Sequence, residues 1–457
     1  MSDENNFKTI AGSICAPRGF KAAAVFCDIK KLGTGRGSEK GQKRDLALMI
    51  SDAPAAVAGM FTTNQVCAAP VKVSAKRARK KLARAIVVNS GNANACTGRQ
   101  GIADAQQMAR LTAASVAALY ERRKNSIRPT VIDRRYRISE KDVLVCSTGR
   151  IGVPMPMKNV GRGIRECVPL LARSTTNARQ VAEAIMTTDT RRKEIAVEFK
   201  IDNRAVRIGG ICKGAGMIEP GMTRSGARHA TMLAFITSDA AIESNALKRA
   251  LEAAVAQSFN RITVDGDMST NDSVIMLANG LAGNRRLDGV SPHRQKFQTA
   301  LNYVCLELAK MIVRDGEGAT RFITLHVHGA RNAREAEAAA RAIANSTLVK
   351  TSWCGGDPNW GRILCALGYS TAKVEESIVD VGYSRAGERE IAFAFRRGRP
   401  TNVALNTLAK ITSTPQFDLH VDLHAGAQDF VMYASDLTED YAALNKGDVN
   451  DPRSLGG

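Results

Sequence analysis

The sequence lacks most features that mark secreted and membrane-spanning proteins. Its ten cysteines are scattered without any Cys-x-x-Cys pair, which argues against a disulfide framework and favours reduced thiols. No run of about 18 uninterrupted apolar residues occurs, so we expect no membrane span. Residues 1–8 are polar and lack the basic start and apolar core of a secretory signal. We therefore expect a cytoplasmic protein.

Aromatic residues are also scarce, at 5% of the chain, although the net charge is +21. Basic residues cluster at 76–84, 122–124 and 134–135. Nucleic-acid-binding modules usually combine such charge with interleaved aromatics or a recognisable motif. We expect no specific nucleic-acid partner and interpret the clusters as a solvated face, with nonspecific polyanion binding as the alternative.

The six histidines predict no metal site. His326 and His328 alternate along a predicted strand, and His420 and His424 flank another. Neither pair is accompanied by a third ligand at metal-binding spacing. The acidic segment 265–272 lacks the glycine spacing and the final glutamate of an EF-hand, so we expect a hydrogen-bonded turn there.

The length and the apolar pattern indicate a layered α/β protein. A chain of 457 residues with 44% hydrophobic residues is long enough for two or three domains or layers. Apolar runs and helical spacing predict strands at 85–88, 143–147 and 231–237, and helices over 102–120, from about Ser244, and over 333–345. These elements alternate without strict βαβ regularity, which favours mixed sheets covered by helices.

A glycine-rich, lysine-bearing turn at 213–220 precedes a threonine that opens an apolar strand, Thr231. A threonine hydroxyl is a poor nucleophile, and one way to activate it is the residue's own α-amine. Cleavage between Ala230 and Thr231 would create such an amine with a pKa of roughly 7.7 to 8.0, which is suitable for a general base. The alternative is that Thr231 only begins a buried strand, where β-branched residues are common.

The chain resembles the ornithine acetyltransferase family, the bifunctional glutamate N-acetyltransferases of arginine biosynthesis. The matching blocks follow the family order from about residue 20 to the C-terminus, at 58–64, 89–98, 147–149, 186–190, 213–220, 229–237, 264–272, 315–320 and 357–363. The resemblance implies an αββα-type layered sandwich with mixed sheets and a smaller C-terminal α/β domain, of the self-cleaved N-terminal-nucleophile type. It also implies an α chain of residues 1–230, a β chain of 231–457 with a C-terminal subdomain from about 345–457, and an α2β2 heterotetramer.

The resemblance also assigns roles to individual residues. Thr231 would be the nucleophile after cleavage between Ala230 and Thr231, and Thr148 and Gly149 would form the oxyanion hole. The implied substrate-binding residues are Thr187, Lys213, Thr231, Glu317, Asn445 and Asn450. We expect Lys213 to hold a substrate carboxylate and Glu317 to meet the amino group of ornithine. From local sequence alone, Ser-Thr-Gly at 147–149 is a turn signal, Lys213 a solvated side chain and Glu317 an exposed carboxylate.

The implied reaction moves an acetyl group from N-acetylornithine to glutamate through acetyl-Thr231, without a cofactor. Acetyl-CoA is an additional donor if the enzyme is bifunctional, and both versions stay open. One rival interpretation is an N-terminal-nucleophile aminopeptidase or amidase, which passes the acyl group to water. The other is a noncatalytic basic scaffold that binds polyanions.

The chain departs from the family pattern at four places. Extra residues at 223–229 precede the cleavage site and form an added loop that could slow autocleavage or leave the precursor intact. Arg191 and Arg192 replace an apolar residue and a proline, which would alter the substrate mouth. Asn450 stands where the family has threonine or serine, and the basic segment 121–141 is interpreted as an insertion.

Overall fold

The computed structural model describes residues 7–30, 43–124, 138–223 and 232–446. Its strands are β1 (Phe7–Thr9), β2 (Phe20–Val25), β3 (Leu46–Phe61), β4 (Leu82–Asn92), β5 (Val143–Arg150), β6 (Lys193–Ile201), β7 (Arg204–Lys213), β8 (Leu233–Ser238), β9 (Ile262–Thr263), β10 (Ser273–Ala278), β11 (Phe322–Ala330), β12 (Asp380–Arg385), β13 (Ala392–Arg396), β14 (Arg399–Pro400), β15 (Gln416–Asp422) and β16 (Gln428–Ser435). Its α-helices are α1 (Ala69–Ala78), α2 (Gly98–Lys124), α3 (Met157–Cys167), α4 (Thr175–Ala184), α5 (Ser244–Ala256), α6 (Arg294–Arg314), α7 (Ala333–Asn345), α8 (Thr347–Cys354), α9 (Trp360–Gly368), α10 (Leu405–Thr412) and α11 (Glu439–Leu444).

A mixed sheet forms the larger part of the fold. Its strand order is β1-β6-β7-β8-β10-β3-β4-β5, and β2 pairs with β3 outside this path. The sheet has two halves, and the long strand β3 takes part in both. Residues 46–51 of β3 pair with β2, and residues 56–61 pair with β10. The register of its pairing with β4 shifts between Ile50 and Ala55. This irregularity separates the two halves of the strand.

Buried side chains of the large sheet form three apolar clusters, which define four layers. The middle cluster joins one half of the sheet to the other, for example Leu144 of β5 and Phe235 of β8. A second cluster packs α2 and α3 on the outer side of the β3–β4–β5 half. A third packs α5 and α6 on the outer side of the β7–β8–β10 half. The predicted αββα-type sandwich of mixed sheets is therefore confirmed, and burial of these apolar faces is what holds the layers together.

The C-terminal sheet has the order β14-β13-β12-β15-β11-β16-β9. Helices α7, α8 and α9 cover one of its faces, and Trp353 is buried between them and the strands. The core of this smaller unit runs from Ile323 to Ala434. It thus begins upstream of residue 345, the approximate start predicted for the C-terminal subdomain, because β11 is a central strand of its sheet.

The opposite face of the C-terminal sheet carries three histidines close together. Strands β11 and β15 are parallel, and their register pairs His326 with His420. His328 lies two positions further along β11, on the same face. Strand pairing therefore brings together three potential ligands that linear spacing does not reveal, and the expectation of no metal site stays a prediction.

Several sequence-based predictions agree with the structure. Helix α7 has the predicted bounds, α5 begins at Ser244, and all ten cysteines are free thiols. Helix α2 extends further than predicted at both ends, up to Lys124. Most of the basic segment 121–141 lies outside the described residues, as do the extra residues 224–229. In the part of the chain that the structure describes, no helix is both long and apolar enough to span a membrane.

Candidate active site

The end of β7 and the start of β8 meet where the nucleophile is predicted. Lys213 pairs with Leu233 of β8, and Leu233 pairs with Ser273 of β10. The Ser273 N–H donates to the carbonyl oxygen of Met232 at 2.9 Å. Ala230 and Thr231 lie outside the described residues, so their roles stay predictions. The residue directly after Thr231 is nevertheless fixed beside the ends of two neighbouring strands.

Lys213 is buried rather than solvated, with 3% of its surface exposed. Its Nζ donates to Thr187 Oγ1 at 2.7 Å and lies 3.8 Å from Asp189 Oδ2. The Thr187 N–H donates to the same Asp189 oxygen at 3.0 Å. The structure thus joins two predicted substrate-binding residues. The hydroxyl that contacts the lysine is that of Thr187, the first residue of the Thr187–Thr188 pair.

A buried ionic network supports this pair. Lys193 Nζ lies 2.6 Å from Asp189 Oδ1 and 2.5 Å from Asp315 Oδ2. Asp189 also accepts the Gly214 N–H at 2.7 Å. Burial would raise the pKa of Asp189, but the Lys213 and Lys193 charges outweigh it and hold this pKa well below its usual range. Burial alone would lower the pKa of Lys193. The charges of Asp189 and Asp315 outweigh burial and raise this pKa. Sequence analysis missed this network.

The predicted oxyanion pair lies at the end of β5. Thr148 is 2% exposed and belongs to the strand, so the interpretation of Ser-Thr-Gly as a turn is wrong. Gly149 has φ +125°, and a Cβ there would lie 2.4 Å from the backbone carbon of Gly91. A Cβ on Gly91 would in turn lie 2.6 Å from the Cα of Lys30. Close backbone approach therefore requires glycine at both positions.

Lys30 adds a second cation that sequence analysis did not single out. Its Nζ donates to the carbonyl oxygens of Arg44 at 2.8 Å and Ala184 at 3.5 Å. Burial lowers the pKa of Lys30 to about 8, Asp45 opposes this shift, and Lys213 adds to it. The Ser90 hydroxyl also donates to the Ala184 carbonyl. Lys30 and Ser90 thus both donate to the Ala184 carbonyl. This shared acceptor connects the strand end with Thr148 to the segment leading to Thr187.

Glu317 and Asn445 meet on the other side of the glycine-rich turn. The Asn445 Nδ2 donates to Glu317 Oε2 at 2.7 Å and to the Tyr441 carbonyl at 2.9 Å. The Glu317 N–H donates to the Ala215 carbonyl at 2.8 Å. A Cβ on Gly216 would lie 2.5 Å from the Glu317 carboxylate. Two predicted substrate contacts thus share a hydrogen bond, while Asn450 lies outside the described residues.

Two aspartates of the segment 265–272 border the site. Asp265 accepts the N–H groups of Met217 at 2.6 Å and Ile218 at 2.8 Å, which agrees with the hydrogen-bonded turn expected there. Asp272 is fully buried, and neither of its carboxylate oxygens has a hydrogen-bond partner among the residues that the structure describes. Burial raises the pKa of Asp272 well above its usual range, and the Lys213 charge only partly opposes this. A carboxyl group directly before β10 therefore faces the region of Lys213.

Comparison with known proteins gives matches along nearly the whole chain. A sequence profile of the ArgJ family matches residues 22–447. The chain is 44% identical over 436 residues to the arginine biosynthesis bifunctional protein ArgJ of Symbiobacterium thermophilum, covering 95% of this chain and 98% of the relative. It is 42% identical over 445 residues to the glutamate N-acetyltransferase of Methanocaldococcus jannaschii, covering 96% of this chain and 98% of the relative.

One solved structure with detectable similarity is the ornithine acetyltransferase of Mycobacterium tuberculosis complexed with ornithine. It is 35% identical to this chain, covers 48% of it and 100% of its own length, and superposes with a TM-score of 0.40.

Proposed function

This chain belongs to the ArgJ family, and from that premise we propose how its residues perform the reaction. The protein is an enzyme of arginine biosynthesis, a glutamate N-acetyltransferase that moves the acetyl group of N-acetylornithine to glutamate. We assign the nucleophile to Thr231, freed as an N-terminal residue by cleavage after Ala230. The predictions of family and function made from the sequence are confirmed.

The convergence of residues far apart in the sequence carries the assignment of the site. Lys213 contacts Thr187 and Glu317 contacts Asn445, at 2.7 Å in each case. An amino-acid substrate carries a carboxylate and one or more ammonium groups. A buried lysine at the start of the turn and a carboxylate that contacts Ala215 and lies beside Gly216 complement these charges. We therefore propose that Lys213 holds the substrate carboxylate and Glu317 the amino group of ornithine.

In the first half-reaction, the Thr231 hydroxyl attacks the acetyl carbonyl carbon of N-acetylornithine. The Thr231 α-amine accepts the hydroxyl proton and passes it to the leaving nitrogen. The new ester C–O bond forms, the amide C–N bond breaks, and ornithine leaves with its amine restored. The tetrahedral oxyanion is stabilised by the Thr148 hydroxyl and the Gly149 N–H.

In the second half-reaction, the α-amine of glutamate attacks the acetyl-Thr231 ester. The ester C–O bond breaks, the N–C bond of N-acetylglutamate forms, and the proton lost by the amine returns to the threonine oxygen. The exchange needs no cofactor, because the acetyl group passes between an amide and an ester. Acetyl-CoA would enter as a second acetyl donor on the same hydroxyl, which would make the enzyme bifunctional.

We further propose an α2β2 heterotetramer of the chains 1–230 and 231–457, located in the cytoplasm. Ten free thiols support a reducing compartment. The β7–β8 pairing would keep one α chain and one β chain in one sheet after the bond is broken, and the doubling to α2β2 rests on the family resemblance.

Intact mass spectrometry of the purified protein tests this proposal. We expect two fragments meeting at Ala230 and Thr231 in the parent, and one full-length chain for Thr231→Ala. After incubation with N-acetylornithine alone, we expect the fragment that begins at Thr231 to gain the mass of one acetyl group. Thr231→Ser keeps a hydroxyl and should still be cleaved and acetylated.

Thr223→Ala serves as the matched control, because it removes a hydroxyl on the other side of the segment before Thr231. It should be cleaved and acetylated like the parent. The proposal is wrong if an active preparation never carries acetyl on residue 231. Release of acetate that is indifferent to glutamate would instead indicate the amidase, and an intact chain that binds polyanions without acetyl transfer would indicate the scaffold.

A further inference from the structure

The three-histidine cluster on the C-terminal sheet consists of His326, His328 and His420. The rings are nearly parallel, with centroids 4.8 Å apart for His326 and His420 and 5.9 Å apart for His326 and His328. One nitrogen of each residue lies within 4.8 Å of the corresponding nitrogens of the other two. Three imidazoles so close together on one face need an explanation, since the proposed acetyl transfer uses none of them.

Two nitrogens of the cluster, His326 Nε2 and His420 Nδ1, are buried without a hydrogen-bond partner within the described part of the chain. Burying such atoms unsatisfied is unfavourable by roughly 1–3 kcal/mol each. The other nitrogen of His420 is already occupied, because Nε2 lies 2.9 Å from the Ser384 hydroxyl. This bond positions the His420 ring and leaves Nδ1 facing the cluster. Each ring can offer a lone pair on one nitrogen close to the other two rings, and a metal ion accepts such electron pairs.

Carboxylates surround the cluster. Asp429 Oδ2 lies 3.4 Å from His328 Nδ1, and Asp418 Oδ2 lies 3.9 Å from His326 Nε2. A carboxylate beside the non-ligating nitrogen of a histidine orients the ring and raises its basicity. Asp429 can act on His328 in this way, whereas Asp418 faces the unsatisfied His326 Nε2 and adds negative charge there. The local negative charge also favours a cation over an anion as the missing partner.

We propose that His326, His328 and His420 bind a divalent transition-metal ion of the zinc type. Imidazole nitrogens suit such ions, and Zn–N bonds of about 2.0–2.1 Å require nitrogens about 3.3 Å apart in a tetrahedral site. Binding would require side-chain rotation that closes the nitrogens from the observed separation of up to 4.8 Å, and the rings share one face of two paired strands. A fourth position is open toward solvent, since 38% of the His328 side chain is exposed. The ion would join β11 to β15.

Zinc titration against a chromophoric chelator tests the site. We expect one tightly held Zn²⁺ per full chain. His328→Gln and His420→Gln, each removing one of three ligands, should weaken binding by about tenfold or more, at least as much as loss of an outer-shell partner does. The measurement is made in a Cys96→Ser/Cys365→Ser background, because these two thiols are exposed and could compete for the metal.

His424→Gln is the matched control. This residue follows the same strand, β15, but its Nε2 is paired with Asp380 at 3.0 Å and it lies outside the cluster. The control should bind Zn²⁺ like the parent. Measured without metal, the two cluster variants and the control should have the parent's denaturation midpoint within error. The proposal is overturned if the parent binds no Zn²⁺, or if both cluster variants bind it with unchanged affinity. The readout does not depend on acetyl transfer, so it stands apart from the fate of Thr231.

Discussion

The buried lysine at the centre of the ionic network gives the sharpest test of the site. In Lys193→Met, the carboxylates of Asp189 and Asp315 lose an ammonium group that lies 2.6 and 2.5 Å away. Lys193 is 1% exposed, so water cannot replace it without rearrangement. Removing one partner from a buried ion pair typically destabilises a protein by about 3–5 kcal/mol. We expect a loss in that range at neutral pH.

The loss should depend on pH with a definite sign. In the parent, the lowered pKa of Asp189 contributes stability above about pH 3.9, and this contribution is lost as the pH falls further. The raised pKa of Lys193 contributes stability that is present below about pH 10.4 and is lost above it. In the variant, Asp189 keeps Lys213 at 3.8 Å and Asp315 keeps the Thr190 N–H, but both carboxylates lose the Lys193 charge and take up protons more readily. The difference between parent and variant should therefore shrink as the pH is lowered from 7 toward 4.

Urea denaturation monitored by tryptophan fluorescence measures both effects. Lys200→Met is the control, because Lys200 is an exposed residue of the same strand, β6, and its loss should change the midpoint little. Lys193→Met/Asp315→Asn should recover part of the lost stability, since it removes one of the two stranded charges. A loss below about 1 kcal/mol at neutral pH, the scale of an exposed pair, would refute the assignment of a buried network.

Two further predictions concern glycines that bring the backbone close to the site. Gly149→Ala should destabilise the protein by about 1–3 kcal/mol and reduce acetyl transfer, because of its φ of +125° and the contact with Gly91. Gly152 has φ +78° and open space around a new methyl group. Gly152→Ala should therefore show the backbone effect alone in the same denaturation and activity assays. Gly216→Ala should displace the Glu317 carboxylate and raise KM for N-acetylornithine in steady-state kinetics, whereas Gly355→Ala meets nothing closer than 3.7 Å and should leave KM unchanged. An unchanged KM in Gly216→Ala would contradict the role of Glu317.

The sequence predicted the layers and the family, but only part of the site. Apolar runs and helical spacing revealed β5, α5 and α7 because each element buries one face, and burial leaves a periodic trace. The network of Lys193 left no such trace, since its carboxylates at 189 and 315 are brought together only by the fold. The same holds for His420, whose partners lie on another strand. Contacts between distant segments depend on register, and a single sequence does not encode register in a readable form.

The charges around the start of β8 bear on the reactivity proposed for Thr231. Lys213 and Lys30 place two ammonium groups in the buried region beside Gly91 and the β7 end, and like charge disfavours protonation of a further amine there. Asp272 acts in the opposite sense when it is ionised, and burial weakens this effect by raising the pKa of its carboxyl well above the usual range. We expect these two lysines to influence a free α-amine created by the cleavage, although Asp189, 3.8 Å from Lys213 Nζ, offsets part of the Lys213 charge. The pKa of this amine should fall below the roughly 7.7–8.0 of an ordinary terminus, which leaves it neutral and able to accept the hydroxyl proton at physiological pH.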